Sequence, residues 1–116
     1  MNEIILSNSA MPMVDECGLI AASESFYHMD RTADFNVLLY VTDGTMYVTE
    51  AGMDYAANAG DLLFLKKGIH HWGEREIIKG TRWYFIHFYN REEYDTDLNR
   101  QITLPKTLTG LRESRI

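Results

Sequence analysis

Two adjacent histidines and a tryptophan follow a short apolar run, and these are the side chains of this sequence best suited to chemistry. The apolar run is preceded by Gly60 and followed by Gly68. Glycine permits sharp turns at both ends, so the pattern predicts a strand with His70, His71 and Trp72 just beyond its exit. Imidazoles there can ligate a metal or hydrogen-bond a polar ligand, and an indole ring can pack against a ligand's apolar face.

A second candidate group lies in the aromatic-rich segment 81–89, which reads as a strand. Side chains alternate between the two faces of a strand, so Phe85 and His87 share one face while their immediate neighbours point the other way. An aromatic ring beside an imidazole suits either a binding pocket or the protein core. The sequence leaves both interpretations open.

Arg31 stands just before a strongly predicted strand. A guanidinium at the rim of a pocket can grip a hydroxyl or carboxylate with two parallel hydrogen bonds. It can equally brace its own turn by pairing with Asp30 or Asp34. Most arginines are solvated or structurally paired, which favours bracing, but Arg31 remains a ligand-binding candidate.

The surrounding sequence predicts strands and turns and shows no sustained helical periodicity. Asp43-Gly44 predicts a hairpin joining the strands on either side of it, and Ala51-Gly52 predicts another turn. The expected strands cover 18–28 (as one or two short strands), 35–42, 45–50, 53–57, 61–65, 81–89 and 102–105. Short strands at this spacing predict an all-β sandwich or barrel.

Length, net charge and cysteine content limit the classes of function that this chain can have. The 116 residues suit one domain, and the net charge of −6 disfavours direct binding to phosphates. No apolar run reaches the length of a membrane span, and the N-terminus lacks the features of a signal peptide. The single cysteine, Cys17, suits a reducing compartment, so we expect a cytoplasmic protein.

Four motifs in this order resemble the N-terminal effector-binding domain of AraC-family transcription regulators. They are HMDR at 28–31, NVLLYVTDGTMYV at 36–48, GDLLFLKKGIHHWG at 60–73 and RWYFIHF at 82–88. The third also resembles the second cupin motif, with Lys66 in place of its proline. The likeness covers about residues 24–105 and implies a cupin-like jelly roll, a double-stranded β-helix. We therefore expect an N-terminal arm at 1–17, the effector-binding domain at 18–105 and the start of a linker at 106–116.

The same resemblance implies a non-enzymatic sensor without a cofactor. Its effector would be a small polar molecule, a sugar or sugar derivative, and the arm would fold over it. By position in the family, Trp72, Phe85 and His87 line the pocket, and His71 and Arg31 complete the ligand-binding candidates. The family's dimerisation helices and helix-turn-helix module have no counterpart in the chain. We therefore expect DNA binding and homodimer formation only in a longer protein.

Two other functions remain open on the sequence. One is a stand-alone cupin enzyme with a metal at His71. Against it, the usual first-motif ligand positions hold Asp30, Thr32 and Val37, which leaves His71 without the three protein ligands that a catalytic metal needs. We therefore expect no metal. The other is a dimerisation scaffold whose barrel is filled with side chains.

Overall fold

The computed structural model describes residues 3–7, 12–89 and 101–110. Every strand pairing within these ranges is antiparallel, which confirms the all-β prediction. The described strands are β1 Glu3–Ser7, β2 Met13–Ala21, β3 Asn36–Asp43, β4 Thr45–Glu50, β5 Met53–Asn58, β6 Leu62–Leu65, β7 His71–Trp72, β8 Arg82–Tyr89, β9 Gln101–Pro105 and β10 Thr107–Leu108. Across the same ranges, no helix has the length and apolar character needed to cross a bilayer.

The core lies between a five-stranded sheet, ordered β10-β6-β3-β8-β2, and a three-stranded sheet, ordered β5-β4-β7. Strands β1 and β9 form a separate pair. The large sheet contributes alternate residues of β3, β6 and β8, and the small sheet covers them with residues of β4 and β5. The buried core side chains are Val37, Leu39, Val41, Leu63, Leu65 and Trp83 on one side and Met46, Val48 and Ala57 on the other.

The predicted hairpin at Asp43-Gly44 is wrong, because β3 and β4 belong to different sheets. Gly44 has a φ of 76° and lies so close to Thr81 that an added Cβ would come within 2.7 Å of its hydroxyl oxygen. Gly44 therefore lies where the chain passes from the large sheet to the small sheet. The true hairpin is β4–β5, where Ala51 and Gly52 both adopt positive φ, at 51° and 81°.

The sheets extend beyond the domain limits expected from sequence. Strand β2 begins at Met13, within the predicted arm, and pairs along β8. At the other end, β10 follows Pro105 and pairs with β6, and Lys106 is buried against Glu50. Residues 1–2, 8–11, 90–100 and 111–116 lie outside the described residues, and so do the corresponding parts of the predicted arm and linker.

Candidate functional site

A cavity of about 310 Å³ opens at one end of the core. Its floor is the inner face of the large sheet, where β8 contributes Trp83, Phe85 and His87. Its other wall is the segment 22–35, which connects β2 to β3 and contributes Phe26, His28, Met29 and Arg31. The cavity therefore combines aromatic rings with imidazole and guanidinium groups.

The connecting segment is held by two isolated β-bridges. Phe26 and Ile77 exchange backbone hydrogen bonds of 3.0 and 2.7 Å, and Arg31 and His71 exchange two of 2.9 Å. Gly73 allows the segment to approach closely, because a Cβ there would lie 2.5 Å from the backbone nitrogen of His28. The cavity wall is thus held by backbone contacts to the residues around His71 and Ile77.

Cross-strand pairs determine which groups lie on the cavity floor. Phe85 is opposite Gly18, where an added Cβ would lie 3.0 Å from the phenyl ring, so the glycine leaves room for that ring. His87 is opposite Glu16, and their Nδ1 and Oε2 atoms are 3.7 Å apart. A register shift between Val14 and Glu16 sets this pairing. The carboxylate of Glu16 consequently lies at the edge of the cavity floor, on strand β2.

Arg31 lines the cavity and is oriented by His71. Its Nε donates to His71 Nε2 at 3.0 Å, and its Nη1 approaches the Met29 sulfur at 3.6 Å. The guanidinium carbon also lies 5.3 Å from the centre of the Phe35 ring. Asp30 instead contacts His70 Nε2 at 2.6 Å. The sequence suggested bracing of the turn through Asp30 or Asp34; among the described residues, Arg31 instead pairs with the imidazole of His71.

The protonation of His71 follows from this contact. Arginine can only donate, so Nε2 is the acceptor and the neutral ring carries its proton on Nδ1. That Nδ1 atom is buried and has no hydrogen-bond partner among the described residues. Burial, followed by the nearby His28 and Arg31, lowers the pKa of His71 to about 4. At neutral pH the ring is an uncharged support for the arginine.

We expect His71 to titrate near pH 4 in the folded protein, which NMR titration of the imidazole Cε1 protons would measure. The unfolded chain then binds more protons than the folded chain between about pH 6.5 and 4. The contribution of His71 to stability is therefore present above pH 6.5 and falls as the pH drops towards 4. Urea unfolding should show a weaker pH dependence for His71→Gln across this window. An equal dependence in both proteins, or a His71 pKa near 6.5, would contradict the assignment.

The other two imidazoles of the cavity are also shifted towards the neutral form. Burial chiefly lowers the pKa of His87, with Arg31 adding to the effect and Glu16 opposing it. Burial likewise lowers the pKa of His28. His87 stacks on Phe35, with ring centres 4.2 Å apart. Among the described residues lining the cavity, Arg31 is thus the group that is cationic at neutral pH.

The structure brings three of the five sequence-derived site residues, Phe85, His87 and Arg31, to the cavity lining. His71 lies behind Arg31 and acts through it. Trp72 is not among the lining residues: its ring stacks on His70 at 4.5 Å, and its Nε1 donates to Glu74 at 2.8 Å. Adjacent residues on a strand face opposite sides, so the inward side chain of His71 directs Trp72 outward.

The arrangement around His71 does not fit a cupin metal. Nε2 is occupied by the Arg31 donor, and Nδ1 carries the proton. Within residues 3–7, 12–89 and 101–110, no three histidine, cysteine or carboxylate side chains are grouped closely enough to hold a metal ion. A guanidinium 3.0 Å from the only available nitrogen lone pair would also repel a cation.

Sequence reasoning missed eight of the lining residues. Four of them are Ile20 and the core residues Val37, Leu39 and Trp83, and the remaining four are Glu16, Phe26, His28 and Met29. Glu16 lies on an edge strand whose side chains are almost all exposed, so no clear alternation marked its inner face. The other three lie in an irregular segment, and distant β-bridges decide where it runs. The HMDR motif at 28–31 was the one available signal, because it drew attention to this segment.

The strands form a cupin-like all-β fold. YhaK from Escherichia coli superposes with a TM-score of 0.53 at 14% identity, over 89% of this chain and 50% of that one. EutQ from Salmonella typhimurium LT2 gives 0.50 at 21% identity, over 65% and 58% of the two chains. At these identities the likeness concerns the fold alone.

Sequence comparison identifies the family within this class. Residues 14–114 match the AraC-like ligand binding domain, and the chain belongs to that family. A 74-residue stretch is 31% identical to the uncharacterized HTH-type transcriptional regulator YisR of Bacillus subtilis strain 168. That stretch covers 60% of this chain and 26% of the relative, so the chain matches about a quarter of the relative's length.

Proposed function

We propose that this chain is the effector-sensing part of a transcription regulator and that its cavity binds a sugar or sugar derivative without transforming it. The observation that carries the proposal is the open cavity of about 310 Å³ in an AraC-like ligand binding domain. Small-molecule sites begin at about this size, and they combine apolar walls with a few placed polar groups.

The residues that line the cavity provide both an apolar surface and a few placed polar groups. Phe85, which is only partly buried, provides aromatic surface for the apolar face of a sugar ring. His87, as a neutral imidazole, offers one donor and one acceptor, while Arg31 offers donors only. These groups approach the cavity from opposite walls, so a molecule with several hydroxyls can contact both walls at once.

DNA binding would belong to a part of the regulator outside this chain. The relative is an HTH-type regulator, and the matched stretch covers only 26% of it. This chain has a net charge of −6, which opposes contact with phosphates. We further propose that the regulator works in the cytoplasm as a homodimer, and that the effector biases how its DNA-binding parts are presented.

The test is a thermal-shift screen with neutral sugars, sugar acids and sugar phosphates, followed by calorimetric titration of the best compound. A ligand that binds only the folded state raises the melting temperature by mass action. Phe85→Ala should weaken binding roughly tenfold to a hundredfold, because the ring contributes about 1.5–3 kcal/mol when buried. His87→Ala should change the preference among hydroxyl patterns more than the overall affinity.

The matched control is Tyr84→Ala, which removes an exposed ring from the opposite face of the same strand. It should leave binding unchanged. If folded Phe85→Ala and His87→Ala bind as tightly as the parent, the cavity is not the binding site. If no compound in the screen raises the melting temperature, the scaffold interpretation replaces the sensor.

A further inference from the structure

The charged side chains that line the cavity indicate which ligands it can bind. Among the described residues, no carboxylate lies within 4 Å of the Arg31 guanidinium. Its side-chain contacts are a neutral imidazole nitrogen, a thioether sulfur, which is a weak acceptor, and the ring of Phe35. Arg31 is partly buried. Among the described residues, a partly desolvated cation that forms no direct ion pair therefore faces the cavity, and Glu16 is the carboxylate whose charge acts on it from the same lining.

The orientation of this cation is set by contacts within the protein. Backbone hydrogen bonds hold Arg31 and His71 side by side, and the Nε–Nε2 contact fixes the plane of the guanidinium. With Nε engaged by His71 and Nη1 near only the weak Met29 sulfur acceptor, the Nη donors remain available to a stronger acceptor in the cavity. A fixed pair of Nη donors matches the two oxygens of a carboxylate.

We propose that the natural ligand carries a carboxylate that binds the Nη groups of Arg31, so that within the proposed function the effector is a sugar acid, such as a uronate, and not a neutral sugar. The aromatic surface of Phe85 then receives the ring of the ligand. This inference depends on the cavity being the effector site.

The local charges favour a single negative charge on the ligand. Glu16 also lines the cavity, with a side chain 64% exposed at the edge strand, 3.7 Å from His87. Arg31 supplies one positive charge, which can compensate one carboxylate but not a phosphate dianion, and the negative charge of Glu16 further disfavours a second charge on the ligand. A carboxylate at Arg31 would be compensated there by the guanidinium.

The experiment compares matched ligands by calorimetry at pH 7.5: glucose, glucuronate and glucose 6-phosphate, and the same three forms of galactose. We expect at least one uronate to bind tenfold or more tightly than its neutral parent and its phosphate. Arg31→Met should weaken the uronate roughly tenfold to a hundredfold, the usual range for a hydrogen-bonded charged group, while changing the neutral sugar less. Glu16→Gln should tighten uronate binding, because it removes a like charge.

Arg82→Met is the control, because it removes the same charge from an exposed position on β8. It should preserve the preference for the acid. Neutral sugars binding as well as the acids would overturn this inference and leave the proposed function standing, and so would a preference for the phosphates. Failure of all six compounds to bind, together with a failed wider sugar screen, would overturn both.

Discussion

Lys106→Met is expected to lower the free energy of unfolding by about 3–5 kcal/mol, the usual effect of breaking a buried ion pair. Lys106 Nζ pairs with Glu50 Oε1, and both side chains are only 4% exposed. The other Glu50 oxygen accepts from the backbone nitrogen of Lys66 at 2.7 Å. Without the ammonium group, the carboxylate would remain buried with one backbone donor. Urea denaturation monitored by tryptophan fluorescence would measure the loss.

The double variant Glu50→Gln with Lys106→Met separates this effect from lost packing. It removes both charges, so it should recover much of the stability lost in Lys106→Met. Lys79→Met, at an exposed lysine, is the control and should change stability by less than about 0.5 kcal/mol. A Lys106→Met protein as stable as this control would contradict the buried pair.

The ion pair also attaches the segment between β9 and β10 to the rest of the domain. Lys106 lies between β9 and β10, and its carbonyl accepts from the Phe64 nitrogen at 3.0 Å. The pair therefore fastens the last described segment to the small sheet through Glu50 and to the large sheet through β6. Loss of the pair should release β10 first, because that strand has only two residues.

Trp83→Ala is expected to destabilise the protein by about 3–5 kcal/mol, a loss large enough to unfold a domain of ordinary stability. Trp83 is 2% exposed and is the largest of the fully buried side chains. Its ring lies 6.0 Å from that of Phe26, which belongs to the opposite wall of the cavity. The substitution would leave a large void between core and cavity that the two sheets cannot close.

Tyr84→Ala is the matched control for this substitution. The two aromatic residues are adjacent on β8, but Tyr84 is 50% exposed on the other face. Urea unfolding should give a small change for Tyr84→Ala and a large one for Trp83→Ala. Equal losses would show that the inner face of β8 has been misassigned.

The sequence determined most of the strands because their signals are local. In 36–43, 45–50 and 82–89, alternate apolar residues face the core, and that pattern survives in any β arrangement that covers this face. On the opposite face of the large sheet, Phe64 and Phe88 form a second buried cluster. The same reasoning identified the face that Phe85 and His87 share. The four motifs then indicated the family, which the match over residues 14–114 shows.

Only the tertiary structure decided which strands pair and which loop residues reach the cavity. The turn at Gly44 looks like a hairpin in sequence but joins two sheets, because β3 finds its partners in β6 and β8. The placement of Arg31 depends on a bridge to His71, forty residues along the chain. The orientation of Trp72 depends on His71 facing inward. Such long-range contacts are set by burial and packing of the whole domain, and no local pattern encodes them.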